Sequence, residues 1–293
     1  MSKQSFLNFL KFEKRYSIHT INAYSHEIDT YVSFLESQSL ALEQATFRDV
    51  RAYLSQLKEN GRQATSINRS ISSLRSYYKF LLREGLVAAS PMVLIHALKT
   101  GKKLPVVIEQ DKMVHLLDEG HTRPNDFEHA RDFVVLELLF GTGIRLSELL
   151  NIKERDIDTY NRRVLILGKR NKERLVPIHQ TLMEEITQYL KLKYSQEFKN
   201  NSSHLIVTNV GKQAYPKLIY RIVQHYLAQI TSQKKRSPHV LRHSFASTLL
   251  NNGADLNAIK ELLGHAGLAA TQVYTHNSVE RLKTVYKQAH PKA

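Results

Sequence analysis

The sequence predicts a mainly α fold in two domains, of which the second also contains a small antiparallel β-hairpin. Glycine and proline account for 11 and 7 of the 293 residues, about 6% together, whereas an average protein has roughly 12%. So few turn-forming residues argue against a fold of many short strands. Apolar residues recur at helical spacing along most of the chain, and only residues 163–178 contain β-rich runs instead.

The first domain, residues 1–98, is predicted to be a bundle of about four short helices. The first helix contains Phe6, the second follows Ser17, and the third covers about residues 46–59. The fourth begins after Thr65, which we expect to be its N-cap, and stops at Gly85. Threonine favours the start of a helix and glycine favours its end, which is why these two residues set the limits.

Residues 99–106 combine Gly101, Pro105 and three lysines without any periodicity, which is typical of a linker between domains. The second domain is residues 107–293. Its β-hairpin is expected to pair residues 163–167 with residues 173–178 around a basic turn. Helices are predicted near residues 109–119, 127–140, 145–151, 179–195, 215–231, 238–252 and 255–263.

The chain is strongly basic, with 42 lysines and arginines against 27 acidic residues and a formal net charge of +15. Both halves carry the excess, which favours a polyanionic partner such as nucleic acid over the alternative of a surface charge that only aids solubility. The absence of cysteine excludes disulfides, thiolate nucleophiles and cysteine-ligated zinc. The most apolar run, residues 133–140, is short and contains Glu137, so we expect no membrane span and a cytoplasmic location.

One candidate anion site is the segment Ser237-Pro-His-Val-Leu-Arg-His243. With Ser237 as N-cap, His239 and Arg242 share a face at the start of a helix, where free backbone N–H groups attract anions. A surface helix with two solvated polar residues is the simpler interpretation of this segment alone. A metal site formed by His239 and His243 is disfavoured, because the neighbouring arginine would repel a dication.

Three further residues are ambiguous when each is considered alone. His265 directly follows the helix-ending Gly264, and Tyr274 comes nine residues later. A single tyrosine is more often structural than nucleophilic. Arg145 follows a Gly-Thr-Gly segment at the start of a new helix, where it is either an exposed cation or a partner of Glu148.

Taken together, these motifs resemble those of the tyrosine recombinases, and their residues are most similar to the Xer branch of that family. The matching motifs are Gly141-Thr-Gly-Ile-Arg145, Gly168-Lys169, His239-Val-Leu-Arg-His243, Leu263-Gly-His265 and Tyr274, in the family's order and spacing. The resemblance covers essentially the whole chain. It implies that residues 1–98 are a SAM-like core-binding DNA domain and that residues 107–293 are the catalytic domain.

The sequence departs from the family pattern in two places. Arg170 occupies a hairpin position where glycine is usual, and Ala266-Gly-Leu follows His265 in place of a serine-containing run. Neither departure involves a residue that corresponds to a catalytic position of the family.

The resemblance also implies a reaction. A tyrosine attacks a DNA phosphodiester, a 3′-phosphotyrosyl bond forms, and the 5′-oxygen leaves. Two arginines clamp the non-bridging oxygens, two histidines add hydrogen bonds, and a lysine protonates the leaving oxygen. Because the tyrosyl bond conserves the phosphodiester energy, neither ATP nor a metal or other cofactor is expected. The predicted catalytic residues are Arg145, Lys169, His239, Arg242, His265 and the nucleophile Tyr274.

Four other basic residues are candidates for DNA binding. Arg69 and Arg75 lie away from the apolar stripe of the fourth helix, on its outer face. Arg170 and Lys172 lie in the basic turn of the hairpin, which suits a DNA groove.

The expected partner is double-stranded DNA with paired half-sites, bound by a tetramer of this chain alone or with a second Xer recombinase, and a DNA translocase is a further candidate partner. The expected role is resolution of chromosome dimers at cell division. An integrase or resolvase of a mobile element is the alternative within the family, and a non-catalytic DNA-binding protein is the alternative outside it. Residues 279–293, with Val279, Leu282 and Tyr286 on one face, are expected to dock on the next subunit; packing on their own domain is the alternative.

Overall fold

The computed structural model describes residues 2–101, 106–121, 126–168, 172–199, 202–264, 285, 286, 288 and 289. The chain divides into two compact units, Met1–Lys103 and Leu104–Ala293. Each unit has its own hydrophobic core, one around the buried Tyr31 and Leu74 and the other around Leu136 and Ile186.

The first unit is a bundle of four helices, as predicted. They are α1 (Ser2–Asn8), which continues into a π-helical turn at Phe9–Glu13, α2 (Ile18–Ser37), α3 (Phe47–Glu59) and α4 (Ala64–Arg83), with a 3-10 turn at Leu42–Gln44 between α2 and α3.

The predicted N-cap of α4, Thr65, lies two residues after the N-cap in the structure. The N-cap is Gln63, and its side chain makes no capping hydrogen bond. The chain reverses at Gly61, whose φ is +76°, and Arg62 pairs with the buried Glu27 at 3.3 Å. These two constraints bring the chain into helical geometry before Thr65 is reached, so the local capping preference of threonine has no effect. The predicted end is confirmed, because Gly85 has a φ of +70°.

The second unit is mostly helical with one small sheet. Its elements are α5 (Gln110–His121), α6 (Phe127–Thr142), α7 (Leu146–Leu149), β1 (Ile157–Asp158), β2 (Arg163–Leu167), β3 (Glu173–Pro177), α8 (Gln180–Ser195), α9 (Pro216–Ile230), α10 (Pro238–Asn251) and α11 (Leu256–Leu262), with a 3-10 turn at Glu154–Asp156.

The predicted hairpin is confirmed, since β2 and β3 pair antiparallel with Val164 opposite Val176. The sheet has an additional strand, β1, in the order β1-β2-β3. That strand was not predicted because two residues are too few to show the alternation that identifies a strand.

Helix α6 lies at the centre of the second unit and is buried on nearly every side, which explains why its sequence is apolar all round. It contacts α8 and α10 most extensively. It ends at Gly143 with a φ of +62°, and a Cβ at this position would collide with the ring of Phe245 on α10. Glycine is therefore needed both for the turn and for the close packing, and this turn presents Arg145 two residues later.

Among the residues that the structure describes, no helix is long and apolar enough to cross a membrane.

Candidate functional site

Arg145 is held at the start of α7 by contacts from both its backbone and its side chain. Its backbone N–H donates to Glu148 Oε2 at 2.8 Å, and its Nη1 donates to Glu148 Oε1 at 2.8 Å. Its Nη2 donates to the carbonyl of Gly264 at 3.1 Å. The side chain is still 34% exposed. Arg145 is thus a partner of Glu148 and a solvent-accessible cation at once, so both interpretations of the sequence apply.

Arg242 lies in the second turn of α10, and its side chain reaches the same place. Its Nη1 donates to the carbonyl of Gly143 at 2.5 Å, and its Nη2 donates to the carbonyl of Leu263 at 2.7 Å. Partial burial and the positive charge of Arg145 lower the pKa of Arg242 to about 10. The guanidinium therefore stays charged at neutral pH. Arg145 and Arg242 bind the adjacent carbonyls of residues 264 and 263, so two cations converge on one turn.

His239 lies one turn before Arg242 on α10, beside the two arginines. Ser237 is the N-cap of this helix and Pro238 is its first residue, as predicted. Partial burial, followed by the charges of His243, Arg242, Lys235 and Arg145, lowers the pKa of His239 below its usual 6.5. The imidazole is therefore mainly neutral at pH 7, so one ring nitrogen can donate a hydrogen bond and the other can accept one.

A buried ion pair supports this cluster. Arg174 of β3 donates from Nη1 to Glu148 Oε1 at 3.0 Å and from Nη2 to Glu148 Oε2 at 2.8 Å. Their side chains are only 5% and 3% exposed. Burial by itself would raise the pKa of Glu148, but the hydrogen bonds and charge of Arg174, with the hydrogen bonds of Arg145, outweigh it and lower the pKa below the usual value.

Arg174 was not predicted to be a site residue, although the sequence contains a signal for it. Strand alternation places Arg174 and Val176 on the same, inward face of β3. A charge on the inward face of a strand requires a buried partner. Glu148 on α7 is also buried and therefore also requires a partner. The sequence identified it only as an alternative partner for Arg145.

The structure thus brings three predicted catalytic residues together: Arg145, His239 and Arg242. The predicted catalytic residues Lys169, His265 and Tyr274 and the hairpin residue Arg170 lie outside the described residues.

The predicted DNA-binding residues of α4 are exposed, as expected, but both have partners within the protein. Arg69 Nη2 lies 3.5 Å from Glu27 Oε1, and Arg75 Nη2 donates to the carbonyl of Ile95 at 2.6 Å. On the hairpin, Lys172 is exposed, and its carbonyl accepts a hydrogen bond from the N–H of Gly168 at 2.7 Å.

The described C-terminal residues pack on their own unit. Tyr286 is 2% exposed and donates to the carbonyl of Gly141 at 2.9 Å. Asn252 donates to the carbonyl of Ala289 at 2.7 Å. The ring of Tyr286 packs next to Phe245, which agrees with the alternative of packing on its own domain. Docking of residues 279–293 on a neighbouring subunit stays a prediction. Val279 and Leu282 lie outside the described residues.

Comparison with protein families gives two matches that together span most of the chain. Residues 106–281 match the phage integrase family, and residues 4–85 match the N-terminal SAM-like domain of phage integrases.

Two curated relatives match along almost their whole length. The chain is 40% identical to the tyrosine recombinase XerC of Listeria welshimeri serovar 6b, over 99% of this chain and 98% of the relative. It is 36% identical to the tyrosine recombinase XerD of Staphylococcus epidermidis, with the same coverage.

Solved structures share the fold. The recombinase XerH bound to palindromic difH substrate in a post-cleavage complex has a TM-score of 0.73 at 20% identity, covering 96% of this chain and 83% of XerH. The Tn1549 transposon integrase in complex with circular intermediate DNA has a TM-score of 0.66 at 18% identity, covering 96% of this chain and 98% of the integrase.

Proposed function

Because this chain belongs to the phage integrase family and is a tyrosine recombinase of the Xer type, we propose that it cuts and rejoins double-stranded DNA at a specific site through a 3′-phosphotyrosyl intermediate. The observation that carries the proposal is the convergence of Arg145 and Arg242 beside His239. Two guanidinium groups on one turn form a site for a phosphate with two non-bridging oxygens.

The two arginines would stabilise the charge that grows on the phosphate during attack. Both are pre-oriented by hydrogen bonds to backbone carbonyls, so little reorganisation is needed when the substrate binds. Lysine could not replace either arginine, because a single ammonium group cannot hold a carbonyl and a phosphate oxygen in a fixed plane. His239, neutral at pH 7, would donate one more hydrogen bond to the same phosphate.

The remaining roles are assigned by the family motif. The hydroxyl oxygen of Tyr274 would attack the phosphorus, and a bond from that oxygen to the 3′-phosphate would form while the bond to the 5′-oxygen breaks. Lys169 would give a proton to the leaving 5′-oxygen, and a histidine of the site, His239 or His265, would take the tyrosine proton. Attack by the 5′-hydroxyl of the partner strand reverses these transfers and joins the new strand.

The two units would have different tasks. Residues 1–98 would bind one side of the DNA as the core-binding domain, joined by a linker at residues 99–106, and residues 107–293 would form the catalytic domain. The match of residues 4–85 to the SAM-like domain of phage integrases supports this division.

We infer that the biological reaction is resolution of chromosome dimers in the bacterial cytoplasm. The chain is 40% and 36% identical to proteins named XerC and XerD over 99% of its length, which supports this role over that of a mobile-element integrase. The active assembly would be a tetramer on paired half-sites, formed by this chain alone or with a second Xer recombinase, with a DNA translocase as activator.

The proposal is tested by trapping the covalent intermediate. The protein is incubated with genomic fragments of its source organism and digested with protease, and the DNA ends that retain a tyrosyl peptide are sequenced. A nicked substrate made from that site then traps the adduct. Tyr274→Phe should give no adduct and bind DNA normally, because only one hydroxyl is lost. The control is Tyr160→Phe, at a tyrosine that is 93% exposed on the β1–β2 turn.

An adduct formed by Tyr274→Phe would show that another residue is the nucleophile. Site-specific binding by the unmodified protein without any adduct would support the alternative of a non-catalytic DNA-binding protein.

A further inference from the structure

Arg174 lies at the centre of the candidate site, yet no catalytic motif includes it. All of its guanidinium nitrogens have partners on two other elements. Nη1 and Nη2 bind both oxygens of Glu148 on α7, and Nε donates to the carbonyl of Leu262 at the end of α11 at 3.1 Å. One buried side chain on β3 therefore holds α7 and α11 at fixed positions.

The ion pair is connected directly to Arg145. Glu148 accepts from the backbone and side chain of Arg145 with the same two oxygens that bind Arg174. A carboxylate held by a bidentate guanidinium has little freedom to rotate. The orientation of Arg145 therefore depends on where Arg174 places Glu148.

Two glycines next to predicted catalytic residues pack on the same ion pair. A Cβ built on Gly264 would lie 3.1 Å from Arg174 Nη1, and a Cβ on Gly168 would lie 3.6 Å from that atom and 3.7 Å from Glu148 Oε1. Gly264 directly precedes His265, and Gly168 directly precedes Lys169. The backbone that leads into both catalytic residues thus rests against the ion pair.

Stability alone does not explain a charged pair at this place. Moving two charges out of water costs several kcal/mol per ion, and well-packed apolar residues often serve the fold as well or better. What an apolar pair cannot do is hold Arg145 and two turns through directional hydrogen bonds.

We propose that Arg174 is a positioning residue for strand cleavage: through Glu148 it holds Arg145 in the orientation that contacts the scissile phosphate. This assignment rests on the proposed recombinase function. Arg174 itself contacts no DNA in this scheme, and it acts only by holding groups that do.

The test compares two forms of one cleavage substrate. In the second form, a methyl group replaces one non-bridging oxygen of the scissile phosphate and removes its negative charge. R174K keeps the positive charge but loses the bidentate geometry. Its cleavage rate on ordinary DNA at saturating protein should fall by about 10- to 100-fold, since a catalytic group displaced by about 1 Å can cost on the order of 100-fold. On the methylated substrate, where a correctly aimed Arg145 matters less, the rate should lie within a few-fold of that of the unmodified protein.

G264A is the second variant, because its new Cβ would push the guanidinium without removing a charge. Its matched control is G253A, at a glycine of similar φ, +83°, whose Cβ would meet nothing within 4 Å. R131K controls for the substitution of a buried arginine, since Arg131 is 3% exposed and pairs with Asp132 away from the site. Both controls should cleave both substrates like the unmodified protein.

The outcomes separate the two proposals. If the unmodified protein forms no adduct, the recombinase function fails. If it does, and R174K and G264A either cleave normally or lose the same factor on both substrates, the positioning role of Arg174 is wrong. Each variant is compared with itself on two substrates, so a partly folded preparation does not alter the ratio.

Discussion

Each of the two units buries one glutamate that holds two arginines, and the two arrangements differ in tightness. In the second unit, Glu148 binds Arg145 and Arg174 through hydrogen bonds of 2.8–3.0 Å. In the first unit, Glu27 is 1% exposed and lies 3.3 Å from Arg62 and 3.5 Å from Arg69. Its shortest bond is to the hydroxyl of Ser70, at 2.5 Å.

The exposure of the arginines differs as well. Arg69 is 64% exposed, whereas Arg174 is 5% exposed. A phosphate contact that only adds affinity tolerates a mobile cation, because its contribution depends mainly on charge. A transition-state contact requires donors that are already in place. We therefore propose that the same motif, a buried carboxylate between two guanidinium groups, serves DNA binding in the first unit and chemistry in the second.

The largest effect expected from this comparison is at Arg242. Arg242→Lys should slow single-turnover cleavage by about 100- to 1000-fold, the usual loss when one oxyanion donor is removed, and leave DNA affinity within a few-fold. Arg69→Lys, the same substitution in the first unit, should leave the cleavage rate unchanged at saturating protein. Equal losses of cleavage rate in the two variants would show that the geometry of the arginine matters no more in the second unit than in the first.

An intermediate effect is expected at the two glutamates. Glu148→Gln should destabilise the second unit by about 3 kcal/mol, because it leaves a buried guanidinium without its counter-charge. Glu27→Gln should cost the first unit only about 1 kcal/mol, because its arginines are more exposed and more distant. Hydrogen exchange in increasing urea, followed on peptides from each unit, gives the two values separately.

The loss of stability in Glu148→Gln should also depend on pH. The pKa of Glu148 is lowered from the ordinary 4.5 in the folded chain. A lowered folded pKa means that the carboxylate contributes its full stability above about pH 4.5 and loses it as the pH falls through the folded value. The difference between the unmodified protein and Glu148→Gln should therefore shrink below pH 4.5. A difference that is independent of pH would mean that the carboxylate charge does not stabilise the site.

The smallest effect is expected at the surface of α4. Arg69→Ala should weaken DNA binding by a few-fold and reduce the log–log salt slope by about 0.9, the value for one phosphate contact. Cleavage by the bound protein should not change. Binding measured from low to physiological salt checks the slope, and an unchanged slope would place Arg69 away from the DNA.

Local patterns were enough to predict most of the elements. The helix limits of α3 and α6 and the β2–β3 hairpin follow from apolar spacing and from glycines, which act within a few residues. The two errors have different causes, and for α4 the pairing of Arg62 with the distant Glu27 contributes. Thr65 is preceded by the tight turn at Gly61, and β1 is too short to show a pattern.

The site was predictable in part. Arg145, His239 and Arg242 were identified from motif order, and the structure brings these three together. Arg174 and Glu148 were not recognised as a pair, because 26 residues of chain separate them and no periodicity links a strand to a distant helix. The contact of Arg75 with the carbonyl of Ile95 was not predicted for a similar reason. The exposure of Arg75 follows from the local helical pattern, whereas its partner lies 20 residues away in the chain.

The sequence by itself determined the helical class, the hairpin, the excess of positive charge and the types of residue in the candidate phosphate site. Each of these depends on spacing over a few positions or on a sum over the chain. Only the tertiary structure decided which carboxylate holds which arginine, that His239 loses affinity for its proton, and that Tyr286 packs into its own unit. These properties depend on burial and on contacts between distant segments, because the strength of a charge interaction is set by the groups and the solvent around it.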